Sequence, residues 1–188
     1  MVMARRIRDF RDDEHGGALV EALLVMNVIL LMLVAFIELT IAVNQWNAAN
    51  KALQLGARIA SVSTPLHGGL MTIDPVADDQ AEPGDPMPDF GTLSCTLSDC
   101  DNQADVDRIV QVMQRLFPRV EAGNVTIAYS WGGLGYAGRP GGPVPLINLT
   151  MSGVPFDFML LGAFIGQDTL TMPDFTVTAV GEDLSTTY

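Results

Sequence analysis

Gly16-Gly-Ala-Leu-Val-Glu21-Ala-Leu-Leu-Val-Met-Asn27-Val-Ile-Leu-Leu-Met-Leu-Val-Ala-Phe-Ile-Glu38-Leu-Thr-Ile-Ala-Val43 is the stretch on which the fold turns. A bilayer core of about 30 Å is crossed by about 20 mostly apolar helical residues, and this run is long enough. It contains no Pro, and its only charges are Glu21 and Glu38. The sequence therefore predicts a transmembrane helix at about residues 19–43. Arg5, Arg6, Arg8 and Arg11 precede it, and the positive-inside rule places that end in the cytoplasm. Everything after Val43 is then exported, from a single-pass membrane protein.

Outward from this run, charge divides unevenly. The chain carries 22 acidic and 10 basic residues, a formal net charge of -12. In the first 16 residues the four Arg are balanced by Asp9, Asp12, Asp13 and Glu14, so the acidity belongs to the exported part. Nucleic acid binding rests on neutralising phosphates with Lys and Arg, and an acidic domain excludes it. With 188 residues there is room for the membrane helix and one modest domain. The expected division is a leader at 1–16, a long helix at 17–62, a linker at 63–89 and an α+β domain at 90–188.

The helix need not stop at the membrane. Trp46 suits a membrane–water boundary. Trp46, Ala49, Leu53, Gly56 and Ala60 then recur at spacings of three and four, a seam biased to small residues. Leu55, Ile59 and Val62 add apolar surface on another face. That surface needs partners. Pro65 ends the helix, and Pro75, Pro83, Pro86 and Pro88 with Gly68, Gly69, Gly84 and many acids make the following stretch a loop.

A second helix is predicted from Gln103 to Phe117, with Val106, Ile109, Val110, Met113, Leu116 and Phe117 as its apolar stripe. Asp101 and Asn102 suit its cap, and Pro118 stops it. Strands follow at Asn124–Ser130, Val144–Met151 and Asp174–Val180, where β-formers alternate. Trp131 to Pro143 reads as a Gly/Pro loop, and Val154 to Ile165 as a short helix or buried loop. The expected fold class is α+β: a long N-terminal helix, one further helix and an antiparallel sheet of about three strands.

Catalytic and ligand-binding motifs are weak. The glycines between Trp131 and Pro143 lack the Gly-Lys-Ser/Thr ending and the following helix of a phosphate loop. His67 stands alone in a Pro/Gly loop, and Asp78-Asp79 lies in the linker, where solvation explains it. Asn148-Leu-Thr150 matches a glycosylation sequon, which short sequences reach by chance. No enzymatic activity and no cofactor are expected. Cys95 and Cys100 lie in the exported part, where a short disulfide loop is permitted. A metal site is the rival reading, with His15 and His67 the only histidines and too few ligands for a four-coordinate centre.

The acids in the apolar run carry more information. Glu38 reads either as a boundary residue reaching for water or as a polar contact between packed helices. Glu21 follows a glycine pair. A cut between Gly16 and Gly17 would make it the fifth residue of the mature chain, where a free amine and a carboxylate pair across neighbouring helices. An unpaired carboxylate in an apolar bundle costs several kcal/mol, so an assembly that supplies a counter-charge is favoured.

Gly16-Gly17-Ala-Leu-Val-Glu21 followed by an uninterrupted apolar helix resembles a class III signal, the site cut by prepilin peptidases. More narrowly, Gly17 to Leu39 resembles the TadE/TadG-like proteins of tight-adherence (Tad, Flp) pilus systems. Ala57-Arg58-Ile59-Ala60 and Thr178-Ala-Val-Gly-Glu182-Asp-Leu agree with it. Ala22 and Asn27 depart from the pattern, which has an aromatic after the glutamate and a proline within the run. The resemblance implies a pilin-like minor subunit, or pseudopilin, processed between Gly16 and Gly17 and assembled by helix packing through Glu21 and Glu38. The partners it implies are a prepilin peptidase, other pilin or minor pilin subunits, the inner-membrane assembly machinery and the membrane itself. The alternative is an uncleaved single-pass scaffold with an exported interaction domain.

Overall fold

The computed structural model describes residues 15–159, 162, 166, 167, 169–181 and 184. The expected cytoplasmic leader with its four Arg lies outside the described residues, apart from its last two positions. So does the part of Val154–Ile165 at 160, 161 and 163–165, together with Glu182. The chain divides into two compact units. One holds the N-terminal helix up to Ala42 with Phe158–Asp168, and the other holds Val43–Asp157 with the chain from Thr169 onward.

Helix α1 runs from His15 to Ala60, about 70 Å at 1.5 Å per residue. No Pro interrupts it, and Leu, Met, Ala, Asn and Gln carry it past Val43 without a break. Its last turn tightens: Val62 and Ser63 donate to the carbonyls of Ile59 and Ala60, three residues back. Pro65 has no N–H to continue the ladder and disfavours helical geometry at Thr64. The Ser63 hydroxyl donates to the Ile59 carbonyl at 2.7 Å, and Arg108 donates to the same hydroxyl at 2.6 Å.

The second unit is built on a four-stranded antiparallel sheet of order β1-β2-β3-β6, with β1 Thr92–Thr96, β2 Val125–Leu134, β3 Val144–Met151 and β6 Phe175–Val180. The register aligns Cys95, Ile127, Leu149 and Val177 across one face, with Leu93, Tyr129, Ile147 and Ala179 beside them. Ile127, Tyr129, Ile147 and Leu149 are fully buried there. Period-two alternation thus sends one apolar set to a single core. The opposite face carries a polar ladder: Thr178 donates to Asn148 at 2.7 Å, Asn148 donates to Ser130 at 3.2 Å, and Thr150 and Thr176 bond at 2.7 Å.

Three details correct the expected sheet. β1 adds a fourth strand. β2 does not stop at Ser130: a bulge between Ser130 and Leu134 lets it rejoin Val144, with Gly133 at φ 71° supplying the left-handed residue. Between β3 and β6, the described part of Val154–Ile165 contains a strand, β4 Pro155–Asp157, which pairs with β5 Thr169–Thr171 in a separate antiparallel ribbon.

Helix α2 spans Gln103–Leu116 and buries Val106, Ile109 and Met113. Asn102 is its cap and accepts from the Asp105 N–H. Asp101 instead accepts from the Gly68 N–H at 2.7 Å. Within residues 63–89, Leu66, Leu70 and Met87 are buried. The Leu66 N–H donates to the Tyr129 hydroxyl at 3.0 Å, and its carbonyl accepts from Asp101. Cys95 and Cys100 are disulfide-bonded, with Cα atoms 5.4 Å apart. The bridge ties β1 to the turn before α2, around the fully buried Leu97.

Candidate functional site

Helix α1 supplies the candidate site, and its two ends have opposite surroundings. From Gly16 to Leu33 every residue is exposed. The large apolar side chains from Leu19 to Leu33 range from 42% to 70% exposed, so no face of this part is covered. Its length is about 27 Å, close to a bilayer core. The helix reaches a mean hydropathy of 2.7 in its most apolar window. A surface apolar on all sides is a membrane span or the core of an assembly.

From Val34 onward a covered stripe begins. Val34, Ala35, Glu38, Ile41 and Ala42 are half-buried or buried, and the same three-and-four spacing continues through the buried Ala49, Ala52, Leu53, Gly56, Ala57 and Ala60. The seam read from the sequence is therefore satisfied, between Ala49 and Ala60, within the second unit. A Cβ on Gly56 would stand 2.6 Å from Met113 Sδ and 3.1 Å from Leu149 Cδ2. Small residues let α2 and the sheet close on the helix backbone. Trp46 meets Phe175 of β6 with ring centroids 5.2 Å apart.

Gly16 and Gly17 occupy the first turn of α1, with no atom within 4 Å of where a Cβ would be. The first four N–H groups of a helix lack intrahelical acceptors, and each Gly costs about 1 kcal/mol of helix relative to Ala. The glycine pair is therefore the part of α1 with the weakest intrinsic preference for helix. Glu21 is exposed one turn further on. Among the described residues no basic side chain forms an ion pair with it.

Glu38 differs from Glu21 in every respect. It is 4% exposed between Ile37 at 60% and Leu39 at 59%, so it lies on the covered stripe, where it has an interaction partner. The two carboxylates are 17 positions apart, about 26 Å along the axis, and point about 100° apart around it at 3.6 residues per turn. They do not form one site. Thr40 satisfies its hydroxyl on the Phe36 carbonyl at 2.8 Å, a bond available without water.

In the second unit Tyr129 has the one resolved pKa shift among the described groups. Burial pushes it up to about 12; the Leu66 N–H opposes that, and the Asp105 charge adds to it. No group of three or more His, Cys, Asp or Glu could hold a metal among the described residues. The sequence did not reveal Tyr129 as an anchor; only its place in the alternation of β2 hinted that it would be buried.

Residues 16–58 match the family model described as TadE-like protein. The match begins at the glycine pair and ends two residues before the end of α1. No curated protein and no solved structure matches the chain.

Proposed function

We propose that this chain, whose residues 16–58 match the TadE-like family model, is a minor pilin-like subunit, a pseudopilin, of a Tad-type pilus or secretion system. The observation that carries this reading is the bare apolar helix from Gly16 to Leu33, beginning at a glycine pair and holding one carboxylate, Glu21, that forms no ion pair among the described residues. In this reading a prepilin peptidase cuts between Gly16 and Gly17. The helix waits in the inner membrane with its leader end cytoplasmic and the α+β domain outside. The assembly machinery then draws it into a bundle of like helices. The new amine of Gly17 gives Glu21 a counter-charge on a neighbouring subunit, which lipid does not supply. The work is assembly; no chemical reaction is assigned to the chain.

Mass spectrometry of the protein from a host expressing the peptidase tests the processing step. The expected mature chain begins at Gly17. A chain that keeps its leader there, and whose Glu21→Ala variant works as well as the wild type, is a static scaffold and not an assembling subunit.

A further inference from the structure

Strand β6 is an outer strand of the four-stranded sheet, with β3 as its strand neighbour. The Gly181 N–H donates to the Pro145 carbonyl at 2.9 Å, which fixes the phase of the β3–β6 ladder. Directly opposed residues of an antiparallel pair alternate between bonded and non-bonded pairs. Phe175, Val177, Ala179 and Gly181 therefore turn their backbone groups to β3, and Thr176, Thr178 and Val180 turn theirs away. Among the described residues no backbone group bonds to those three N–H and three C=O groups. The Thr176 and Thr178 hydroxyls are engaged by Thr150 and Asn148. Leu184 is 6% exposed and lies with Ile147 beside Gly181, on the buried face.

The two edges of the sheet differ. At β1 the Thr96 carbonyl already accepts from the Asp99 N–H at 2.8 Å. β6 has none of the devices that blunt an edge: Phe175–Val180 contains no charge and no Pro, and its ladder has no bulge. Val177 and Ala179 are half-buried, although their β3 partners Leu149 and Ile147 are fully buried. An adjoining strand with apolar residues at alternate positions would extend that row and cover them.

We infer that the outer edge of β6 accepts a strand from another protein, an uncharged alternating segment with Lys or Arg at its ends. Strand addition of this kind draws affinity from main-chain bonds and specificity from alternate side chains. Charge selects the occupant. Asp174 precedes the strand and Glu182-Asp183 follows Gly181. Antiparallel pairing of two copies through β6 would set Asp174 of each against the Glu182-Asp183 end of the other, and opposed like charges destabilise a sheet. Basic ends on the added strand reverse that sign. An assembling subunit and a static scaffold would use this edge alike, so the inference stands apart from processing at Gly16.

The test uses the full chain in detergent micelles at low salt, with its disulfide intact. The probe is a fluorescent synthetic peptide of alternating Thr and Val with two Lys at each end. It is expected to bind and to slow hydrogen exchange at the Thr176, Thr178 and Val180 amides. The same peptide with Glu ends should bind about tenfold more weakly. Thr178→Pro removes an outward N–H and no bond to β3, and should weaken binding about tenfold. Thr178→Ala loses the same hydroxyl but keeps the N–H, and should bind within about twofold of the wild type. A peptide N-methylated at alternate nitrogens tests the same bonds with the protein unchanged, and should not bind. No binding, equal binding of the methylated peptide, or unchanged exchange along β6 overturns the inference. Equal binding of the Lys and Glu peptides overturns the choice of partner. Protection of the Thr178 amide that rises with protein concentration alone identifies a second copy as the occupant, and the inference is then wrong.

Discussion

The inner and outer halves of α1 are one helix with two fates. Gly16–Leu33 is lined by Leu, Val, Met and Ile and is bare on all sides; Ala49–Ala60 is lined on one side by Ala and Gly and is closed against its own sheet and second helix. Nothing in the backbone marks the change. Side-chain size does. Bulky residues all round keep a neighbour at ordinary interhelical distance and suit lipid or a bundle. A stripe of Ala49, Ala52, Gly56, Ala57 and Ala60 admits α2 and β3 to close range. The seam at Ala49–Ala60 is thus satisfied within the chain, and the apolar surface left uncovered is Gly16–Leu33.

The comparison can be broken most forcefully at Gly56. Gly56→Leu forces four carbons into the space of Met113 and Leu149, and should destabilise the α+β unit by about 3 kcal/mol, as overpacked cores do. Urea unfolding of the full chain in detergent micelles reads this, and an unchanged midpoint would show that the seam is not closed. Removing the Cys95–Cys100 bridge by Ser substitution of both should cost about 2 kcal/mol from the short loop it closes, measured the same way.

Tyr129→Phe sharpens the contrast by detaching the chain that leaves α1 from the sheet. It orphans the buried Leu66 N–H, a loss of about 1–2 kcal/mol. The same residue sets a pH dependence. Its pKa is raised from 10.0 to about 12, so the folded state keeps a proton that the unfolded state releases. Stability is therefore full below pH 10 and declines as pH rises towards 12; the variant should lose that decline. The smallest effect belongs to the inner half: Leu30→Ala should move the domain's midpoint by no more than about 0.5 kcal/mol, because Leu30 has no packing to lose. A core-sized effect there would mean the inner half is not a free surface.

Much of this was legible before folding. A helix long and apolar enough to cross a membrane is an apolar length, and length is a one-dimensional property. Helix α2, β3 and β6 follow from periodicities of 3.6 and 2. β1 was not read, because Thr92–Thr96 is a short edge strand with only Leu93 and Cys95 turned inward. The extension of β2 past Trp131 was hidden by glycines that read as a loop but serve as a bulge. Of the candidate site, Gly16, Gly17 and Glu21 stand out because their meaning depends on near neighbours in the chain. Glu38 does not, since the same residue at the same position suits water, lipid boundary or protein.

The sequence by itself determined which residues must leave water: the run at 16–43, the seam at 46–60 and the alternating positions of the strands. It did not determine what each would meet. Hydrophobic burial is non-directional, so an apolar stripe states a need without naming a partner. Only tertiary structure decided that Gly56 faces Met113 and Leu149, that Tyr129 holds Leu66, and that Gly16–Leu33 is left open. Close packing is specific because it depends on the shapes of residues far apart in the chain, and those shapes come together only in the fold.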